Sequence, residues 1–317
     1  CRDGSSDVCS SDLTLGAILA EIRAAFPGVP CRAAVCGSGG KRIASAIGAH
    51  FIQEVVANSI AIQELYRDAR VAIELGGQDA KIVFFYFDEA TDRLIASDMR
   101  MNGICAGGTG AFIDEIASLL KVPVSELNGL AAAGKKVYDI SGRCGVFAKT
   151  DIQPLLNQGV SREDIALSSF HAVAKQTIGG LAQGLEIKPP VLFEGGPLTF
   201  NPVLVDVFSE RLRLTDVEAI RPDRPETIVA RGTALSLGVM FRDETEPFDI
   251  DAALATLGAY TGGDEEAATG PSRAFFTDEE ERRTFLERHA MAAVPGRDLP
   301  PGPRLPVYIR IEAGATT

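Results

Sequence analysis

Hydrophobic positions along this chain recur at two spacings, one typical of helices and the other typical of strands. Apolar residues three and four positions apart between residues 13 and 26 predict a helix with one buried face. Arg32–Cys36 predicts a short strand, and Phe51–Tyr66 predicts a second helix. The buried face of the first helix is expected to consist of Leu15, Ile18, Leu19, Ile22 and Phe26.

Two apolar runs in the middle of the chain are separated by a short glycine-containing turn. Val71–Leu75 and Lys81–Asp88 predict strands, and Gly76–Gly77 predicts the tight turn of a hairpin between them. A further buried strand is expected at Val191–Glu194.

Helix start signals dominate the rest of this region. Thr109–Leu120 has helical spacing, Ser161 precedes a long helix as a capping residue, and Asn201–Pro202 begins another helix. Helices and strands that alternate in this way predict an α/β protein with a mixed sheet.

Composition and charge narrow the classes of protein. The 317 residues are 46% hydrophobic, and 43 acidic residues against 31 basic ones give a net charge of −12, which argues against a nucleic-acid partner. No apolar run approaches the ~20 residues that span a bilayer, so no membrane partner is expected. Six scattered cysteines do not suggest a disulfide scaffold and favour a reducing cytoplasm.

Charge and proline content predict four segments. Residues 1–12 lack hydrophobic periodicity and resemble translated adaptor sequence or a disordered tail. Residues 13–240 form the predicted domain, and residues 241–305 form an acidic, proline-rich linker. Residues 306–317 are interpreted as the first strand and phosphate loop of a second domain.

Three glycine turns carry the candidate chemistry. Gly76–Gly77, the loop Gly107–Gly110 and Gly195–Gly196 each adjoin a predicted strand or helix. Glycine lets backbone N–H groups approach a phosphate closely, and a helix N-terminus attracts anions. One glycine pair alone is more typical of an ordinary hairpin with a polar tip, but three such turns favour a nucleotide. Gln78 and Asp79, at the mouth of the first turn, could orient water or hold hydrated Mg²⁺.

Two cysteines occupy matching positions in the sequence. Cys105 precedes the helix that starts near Thr109, and Cys144 precedes a helical run that continues through Leu156. A helix N-terminus lowers the pKa of a thiol, so either residue could bind metal, although a structural cysteine is an equally good interpretation. Cys31 and Cys36 flank a short strand and are expected to be buried small hydrophobes.

The glycine turns and the two cysteines belong to four longer motifs, which are GGQDAK at Gly76–Lys81, MNGICAGGTGAF at Met101–Phe112, CGVFAKTDIQPLLNQG at Cys144–Gly159 and FEGGP at Phe193–Pro197. These motifs resemble those of the BadF/BadG/BcrA/BcrD ATPase family, which activates 2-hydroxyacyl-CoA dehydratases and benzoyl-CoA reductases. The resemblance covers about residues 13–240, with the motifs in one order.

This resemblance implies an acetate-kinase/Hsp70/actin-like (ribonuclease H-like) ATPase fold. It further implies a [4Fe–4S] cluster shared with a second ATPase domain, tandem or homodimeric, with Cys105 and Cys144 as this domain's ligands. ATP hydrolysis would drive one electron from a donor such as ferredoxin or flavodoxin to a CoA-thioester dehydratase or reductase. The implied binding site for ATP or ADP with Mg²⁺ comprises Gly76, Gly77, Lys81, Gly107, Gly108, Thr109, Gly110, Gly195 and Gly196.

The chain also departs from the family's pattern. The first phosphate loop of the fold should precede Leu13, and nothing there matches it. Val307–Thr317 resembles that loop instead, with Glu312 in the position usually held by Asp. We therefore expect an N-terminally truncated domain from a tandem protein. Two other functions stay open on the residues alone, namely a sugar or acyl kinase without iron and a non-catalytic scaffold of the same fold.

Overall fold

The computed structural model describes residues 6–103, 107–142, 145–244, 246–259, 276 and 278–290. The chain forms two compact units, Cys1–Tyr260 and Thr261–Thr317. Within the described ranges, no helix is long and apolar enough to cross a membrane. The predicted strand at residues 306–317 lies outside them.

The first unit begins with a small subdomain of helices around two short parallel strands. Its elements are α1 (Ser6–Ala25), β1 (Ala34–Val35), α2 (Gly40–Ile47), β2 (His50–Phe51) and α3 (Glu54–Leu65). β1 confirms the predicted short strand within Arg32–Cys36, whereas Phe51 belongs to β2 and not to the predicted helix, which starts at Glu54.

The larger part of the first unit is built on a five-stranded mixed sheet. Its strands are β3 (Val71–Leu75), β4 (Ala80–Asp88), β5 (Arg93–Met101), β6 (Val191–Glu194) and β7 (Ala219–Ile220). Their order is β5-β4-β3-β6-β7, in which β3, β6 and β7 run parallel while β4 pairs antiparallel with both β3 and β5. The predicted hairpin and the predicted mixed sheet are both confirmed.

Helices cover this sheet and connect its strands. They are α4 (Gly110–Leu120), α5 (Leu127–Ala133), α6 (Gly145–Asn157), α7 (Arg162–Ala182), α8 (Gly196–Phe200), α9 (Pro202–Leu212) and α10 (Ile228–Met240). All five residues of β3 are buried, as expected for a central strand covered on both faces. The core beside β3 contains Phe112, Phe170, Phe193 and Phe208.

Two helix starts agree with the sequence, although only one has the predicted capping bond. The backbone N–H of Asp164 donates to the Ser161 hydroxyl at 3.2 Å, as expected of a capping serine. Asn201 stands immediately before α9, but its side chain donates to the carbonyl oxygen of Pro197. The N–H of Val203 is instead capped by Asn128 from α5.

The segment interpreted as a linker begins with a helix. α11 (Ile250–Ala259) lies within it, and Ala253 is buried against Leu19 of α1 and Ile47 of α2. Phe248 donates its N–H to the carbonyl oxygen of Cys31 at 2.7 Å. In the second unit, α12 (Glu279–Ala290) is the described helix, and Asp278 caps its start.

The apolar face predicted for α1 is mostly not buried. Leu19 is buried and Leu15 is partly buried, whereas Ile18, Ile22 and Phe26 are exposed. Hydrophobic spacing therefore predicts the helix correctly but not the extent of its burial. The helix also starts at Ser6, inside the predicted tail.

Candidate functional site

The first and second glycine turns are joined directly by backbone hydrogen bonds. The N–H of Gly110, the first residue of α4, donates to the carbonyl oxygen of Gly76 at 2.9 Å. The next N–H, that of Ala111, donates to the carbonyl oxygen of Gly77 at 2.7 Å. The start of α4 and the β3–β4 turn therefore form one backbone unit.

The third turn packs against the other two. Gly195 has φ +97°, and a Cβ there would collide with the carbonyl oxygen of Leu75 on β3. A Cβ on Gly110 would lie 3.1 Å from the Gly77 Cα and 3.2 Å from Pro197 Cγ. The tertiary structure thus brings together three turns that are separated by as much as 120 residues in the sequence.

This convergence changes the part that Gly110 plays. The sequence suggests that the first N–H groups of α4 face a phosphate, but those of Gly110 and Ala111 are occupied by the first turn. The loop before α4 also packs its backbone closely against α7. Gly108 has φ +79°, and a Cβ there would lie 3.2 Å from Thr177 Oγ1.

The tip of the first turn is exposed and braced from one side. Gly77, Gln78 and Asp79 are exposed. The side chain of Asn102 accepts a hydrogen bond from the N–H of Ala80 at 2.8 Å and donates to the carbonyl oxygen of Gln78 at 3.0 Å. A Cβ added at Gly77 would have no atom of the described residues within 4 Å. The turn therefore presents open backbone and two polar side chains on a braced support.

A polar cavity of about 190 Å³ borders the second turn. Gly107 and Asn102 line it, together with Gln176 and Thr177 of α7. The Thr177 hydroxyl is buried and has no hydrogen-bond partner among the described residues. This cavity offers uncharged polar groups beside the glycine loop.

Lys81 lies in a buried ion-pair cluster. Its Nζ is 2.6 Å from Glu54 Oε1 and 3.1 Å from Glu74 Oε1, and the whole residue is 3% exposed. Burial alone would lower the pKa of Lys81, but Glu74 and Glu54 outweigh it and raise that pKa. Burial raises the pKa of Glu74, and the charge of Lys81 partly offsets this increase. The Lys81 ammonium group is therefore paired with carboxylates of the protein itself.

Four residues around Lys81 are absent from the site predicted by the sequence. Glu54 and Asn58 lie on α3, while Glu74 and Glu194 lie near the ends of two buried strands. Glu74 and Glu194 each stand just before a predicted glycine turn, whereas Glu54 is the first residue of α3. A polar residue in an apolar run next to such a turn is the signal that could have identified them.

Cys105 and Cys144 lie outside the described residues, but the elements that follow them do not. α4 starts at Gly110 and α6 starts at Gly145, so each cysteine precedes a helix as predicted. The Glu115 carboxylate of α4 occupies the space that a Cβ on Gly145 would need, so the two helices pack there. Among described residues, no group of three or more His, Cys, Asp and Glu could hold a metal ion. Cys31 and Cys36 are partly buried, less than expected.

Comparison with known proteins identifies similar sequences. The model of the BadF/BadG/BcrA/BcrD ATPase family matches residues 16–235. The 2-hydroxyisocaproyl-CoA dehydratase activator of Clostridioides difficile is 30% identical over 184 residues, which are 58% of this chain and 65% of that protein. The (R)-2-hydroxyglutaryl-CoA dehydratase activating ATPase of Acidaminococcus fermentans is 32% identical over 145 residues, 46% and 53% of the two chains. The chain thus spans between half and two thirds of these relatives.

Comparison with solved structures also identifies a dehydratase activator as a similar protein. The activator of the 2-hydroxyisocaproyl-CoA dehydratase from Clostridium difficile, solved with bound ADPNP, matches with a TM-score of 0.57 and 26% identity. The match covers 69% of this chain and 78% of that chain. The predicted actin-like ATPase fold is confirmed by this likeness.

Proposed function

Because this chain belongs to the BadF/BadG/BcrA/BcrD ATPase family, we propose that its three glycine turns bind ATP and ADP together with Mg²⁺. The observation that carries this proposal is the direct packing of Gly76–Gly77, Gly110 and Gly195. Backbone without Cβ atoms can approach phosphate oxygens closely. The N–H groups of Gly76, Gly110 and Gly195 are hydrogen-bonded within the protein, so these glycines build the framework and Gly77 offers the open backbone. The bound ADPNP of the similar Clostridium difficile activator supports the same ligand class.

The exposed tip of the first turn supplies the polar side chains of this proposed site. Gly77 offers open backbone to the phosphates, while Gln78 and Asp79 stand beside it. A carboxylate and an amide oxygen suit a hard, hydrated cation such as Mg²⁺, and the same groups can orient a water molecule for attack on a phosphorus atom. We assign the hydrolytic role to these two residues. The polar cavity beside Gly107 lies next to the second turn and is the proposed place for the rest of the nucleotide.

The proposed biological role is activation of a CoA-thioester dehydratase or reductase. The two relatives are named as a dehydratase activator and a dehydratase activating ATPase, which supports this role for the present chain. In this proposal, ATP hydrolysis is coupled to the delivery of one electron, which a donor such as ferredoxin or flavodoxin provides.

Cys105 and Cys144 are the proposed protein ligands of a [4Fe–4S] cluster. Both precede helices, whose N-terminal dipoles favour a negatively charged thiolate centre. The packing of Glu115 on Gly145 connects these helices and supports a shared location for the two loops. Such a cluster supplies one-electron chemistry when bound. Four thiolates are needed, so a second domain of the same fold would provide the other two.

Exposed apolar residues follow Cys144 in the sequence and support the proposal that another protein surface covers this region. Val146 is 70% exposed and Phe147 is 59% exposed, both in the first turn of α6. Apolar groups of this size beside a ligand loop are suited to contact with another protein surface. We assign this surface to the second ATPase domain.

Anaerobic purification followed by iron and sulfide analysis tests the proposal. We expect four iron and four sulfide per pair of domains, with nucleotide binding measured separately by calorimetry with ADP. A protein that binds ADP but never iron would favour a kinase of the same fold. A protein that binds neither would refute both parts of the proposed function.

A further inference from the structure

A group of five polar residues lies between α3 and the sheet, and four of them are buried. This acid–amide cluster consists of Glu54, Asn58, Glu74, Lys81 and Glu194. Asn58, Glu74, Lys81 and Glu194 are each no more than 7% exposed. With every group ionised the cluster carries three negative charges and one positive charge, which is unfavourable in a buried environment.

Two of its carboxyl groups stand on neighbouring strands in register. Glu74 of β3 is the direct partner of Glu194 of β6 in the parallel pairing. Lys81 forms ion pairs with Glu74 and Glu54, but no hydrogen bond or ion pair from Lys81 to Glu194 is present in the structure. Glu194 is therefore a buried carboxyl group without a direct cationic partner among the described residues.

The hydrogen bonds of Asn58 reveal how this carboxyl group is accommodated. Asn58 Nδ2 donates to Glu194 Oε1 at 2.8 Å and to Glu74 Oε2 at 3.2 Å. Asn58 Oδ1 and Glu194 Oε2 are both buried and have no partner in the described structure. The opposite amide orientation would turn the Asn58 oxygen towards two carboxylate oxygens, so the present orientation is the favourable one.

The two unpartnered atoms are the ones that would complete a cyclic pair between a carboxylic acid and a carboxamide. In such a pair the amide N–H donates to one carboxyl oxygen, and the acid O–H donates back to the amide oxygen. We propose that Glu194 is held as a neutral acid whose Oε2–H donates to Asn58 Oδ1, and that this pair positions the Gly76 and Gly195 turns. That these turns hold nucleotide rests on the proposed function; the acid–amide pair itself does not.

The electrostatic environment agrees with a neutral Glu194. Burial, and after it the negative charge of Glu74, raises the pKa of Glu194 to about 8, against the lowering effects of Asn58 and Lys81. The charged groups that act on it are Glu74 on β3 and Lys81 on β4, while Glu54 on α3 acts on Lys81. Glu194 immediately precedes Gly195, and only Leu75 separates Glu74 from Gly76. The protonation state of the pair thus bears on both turns.

Infrared spectroscopy of the full chain tests the protonation state directly. At pH 7 we expect the carbonyl band of a protonated carboxyl group, and Glu194→Gln should remove it. Asn58→Leu should keep the band but shift it to higher frequency, because the acid O–H loses its acceptor. Glu64→Gln, an exposed change on the same helix, should leave the band unchanged. Absence of any band that Glu194→Gln removes would overturn the proposal.

Chemical denaturation provides a second readout. The folded state binds the Glu194 proton more tightly than the unfolded state, so stability falls as pH rises from about 4.5 towards about 8. The unfolding equilibrium constant should increase by about tenfold per pH unit from this group, and Glu194→Gln should remove that contribution. Equal pH dependence in both proteins would contradict the proposal. Stabilisation of the wild type, but not of Glu194→Gln, by added K⁺ would also contradict it, because a cation bound there would indicate an ionised Glu194.

Hydrogen exchange at the glycine turns tests positioning. At pH 9 we expect faster exchange in the wild type than in Glu194→Gln for peptides that contain Gly76 and Gly195, and equal exchange at pH 6. Peptides from α9 serve as the internal control. Identical exchange at both pH values would refute the positioning role. None of these measurements needs nucleotide, so a failure to bind ADP would refute the proposed function without deciding this inference.

Discussion

The N–H of Gly110 donates to the carbonyl oxygen of Gly76 at 2.9 Å, which ties the start of α4 to the turn between β3 and β4. Some glycines of the site therefore build its framework, and others are free to face a ligand. The space around each glycine separates the two groups. A Cβ on Gly195 would collide with Leu75, whereas one on Gly77 would meet open space.

Gly77→Val should weaken nucleotide binding while the protein stays folded. The Cβ of the new side chain would have no atom of the described residues within 4 Å, but the side chain would block close approach of a phosphate to the backbone. We expect the Kd for ADP to rise by ~10-fold or more, the cost of one or two charge-assisted hydrogen bonds. Calorimetry measures it. Gly129→Val, at an exposed and equally open helical position, is the control. Unchanged ADP affinity would make the first turn an ordinary hairpin.

Gly195→Ala should destabilise the fold itself. Its Cβ would collide with the Leu75 carbonyl oxygen, in addition to the strain of φ +97°. We expect a loss of about 3 kcal/mol in the free energy of unfolding, measured by urea denaturation. Gly159→Ala isolates the strain, because Gly159 has φ +78° and an added Cβ would have no atom of the described residues within 4 Å. That change should cost about 1 kcal/mol. Equal costs for the two variants would argue against the collision.

Lys81→Ala should be strongly destabilising. It leaves Glu74 buried without its cationic partner, which should cost about 3 kcal/mol or more. Because the pKa of Glu74 then rises further, the folded variant takes up a proton more readily and should regain stability as pH falls from 7 to 5. Lys175→Ala removes an exposed ion pair with Asp139 and should cost under about 1 kcal/mol. A stable Lys81→Ala protein that loses only ADP affinity would restore the ligand-binding role predicted from the sequence.

Replacement of either proposed ligand cysteine should abolish iron binding. Cys105→Ala and Cys144→Ala should each eliminate the brown chromophore of anaerobically reconstituted protein, because the cluster loses a thiolate. Iron and sulfide analysis measures how much cluster each variant binds. Cys31→Ser and Cys36→Ser are the matched controls and should retain it. Full iron loading in the Cys105→Ala, Cys144→Ala double variant would exclude both residues as ligands.

The features that local sequence predicts well depend on residues close together in the chain. Val71–Leu75 is apolar at four of its five positions and bounded by glycine, so its strand follows from composition alone. Ser161 caps a helix through an N–H only three residues away. The positive φ of Gly108 and Gly195 is a local requirement that glycine meets.

The features that sequence missed depend on partners far apart in the chain. β5 has only one buried residue, Leu94, and carries charged residues within its run, yet it forms a strand because β4 supplies its hydrogen bonds. The exposed residues of α1 have the spacing of a buried face, and only the packing around the helix decides which of them are covered.

Lys81 of the candidate site is another residue whose partners lie far away in the chain and could not be predicted from the sequence. The sequence places it next to the first glycine turn, and its neighbours in the chain favour a role in binding. Its partner Glu54 comes from α3, 27 residues earlier, and Asn58 connects that helix to Glu194, 136 residues later. Sequence alone therefore determined the glycine turns, because they are short-range backbone requirements. Tertiary structure alone decided which charges are buried together, because that depends on which distant elements meet.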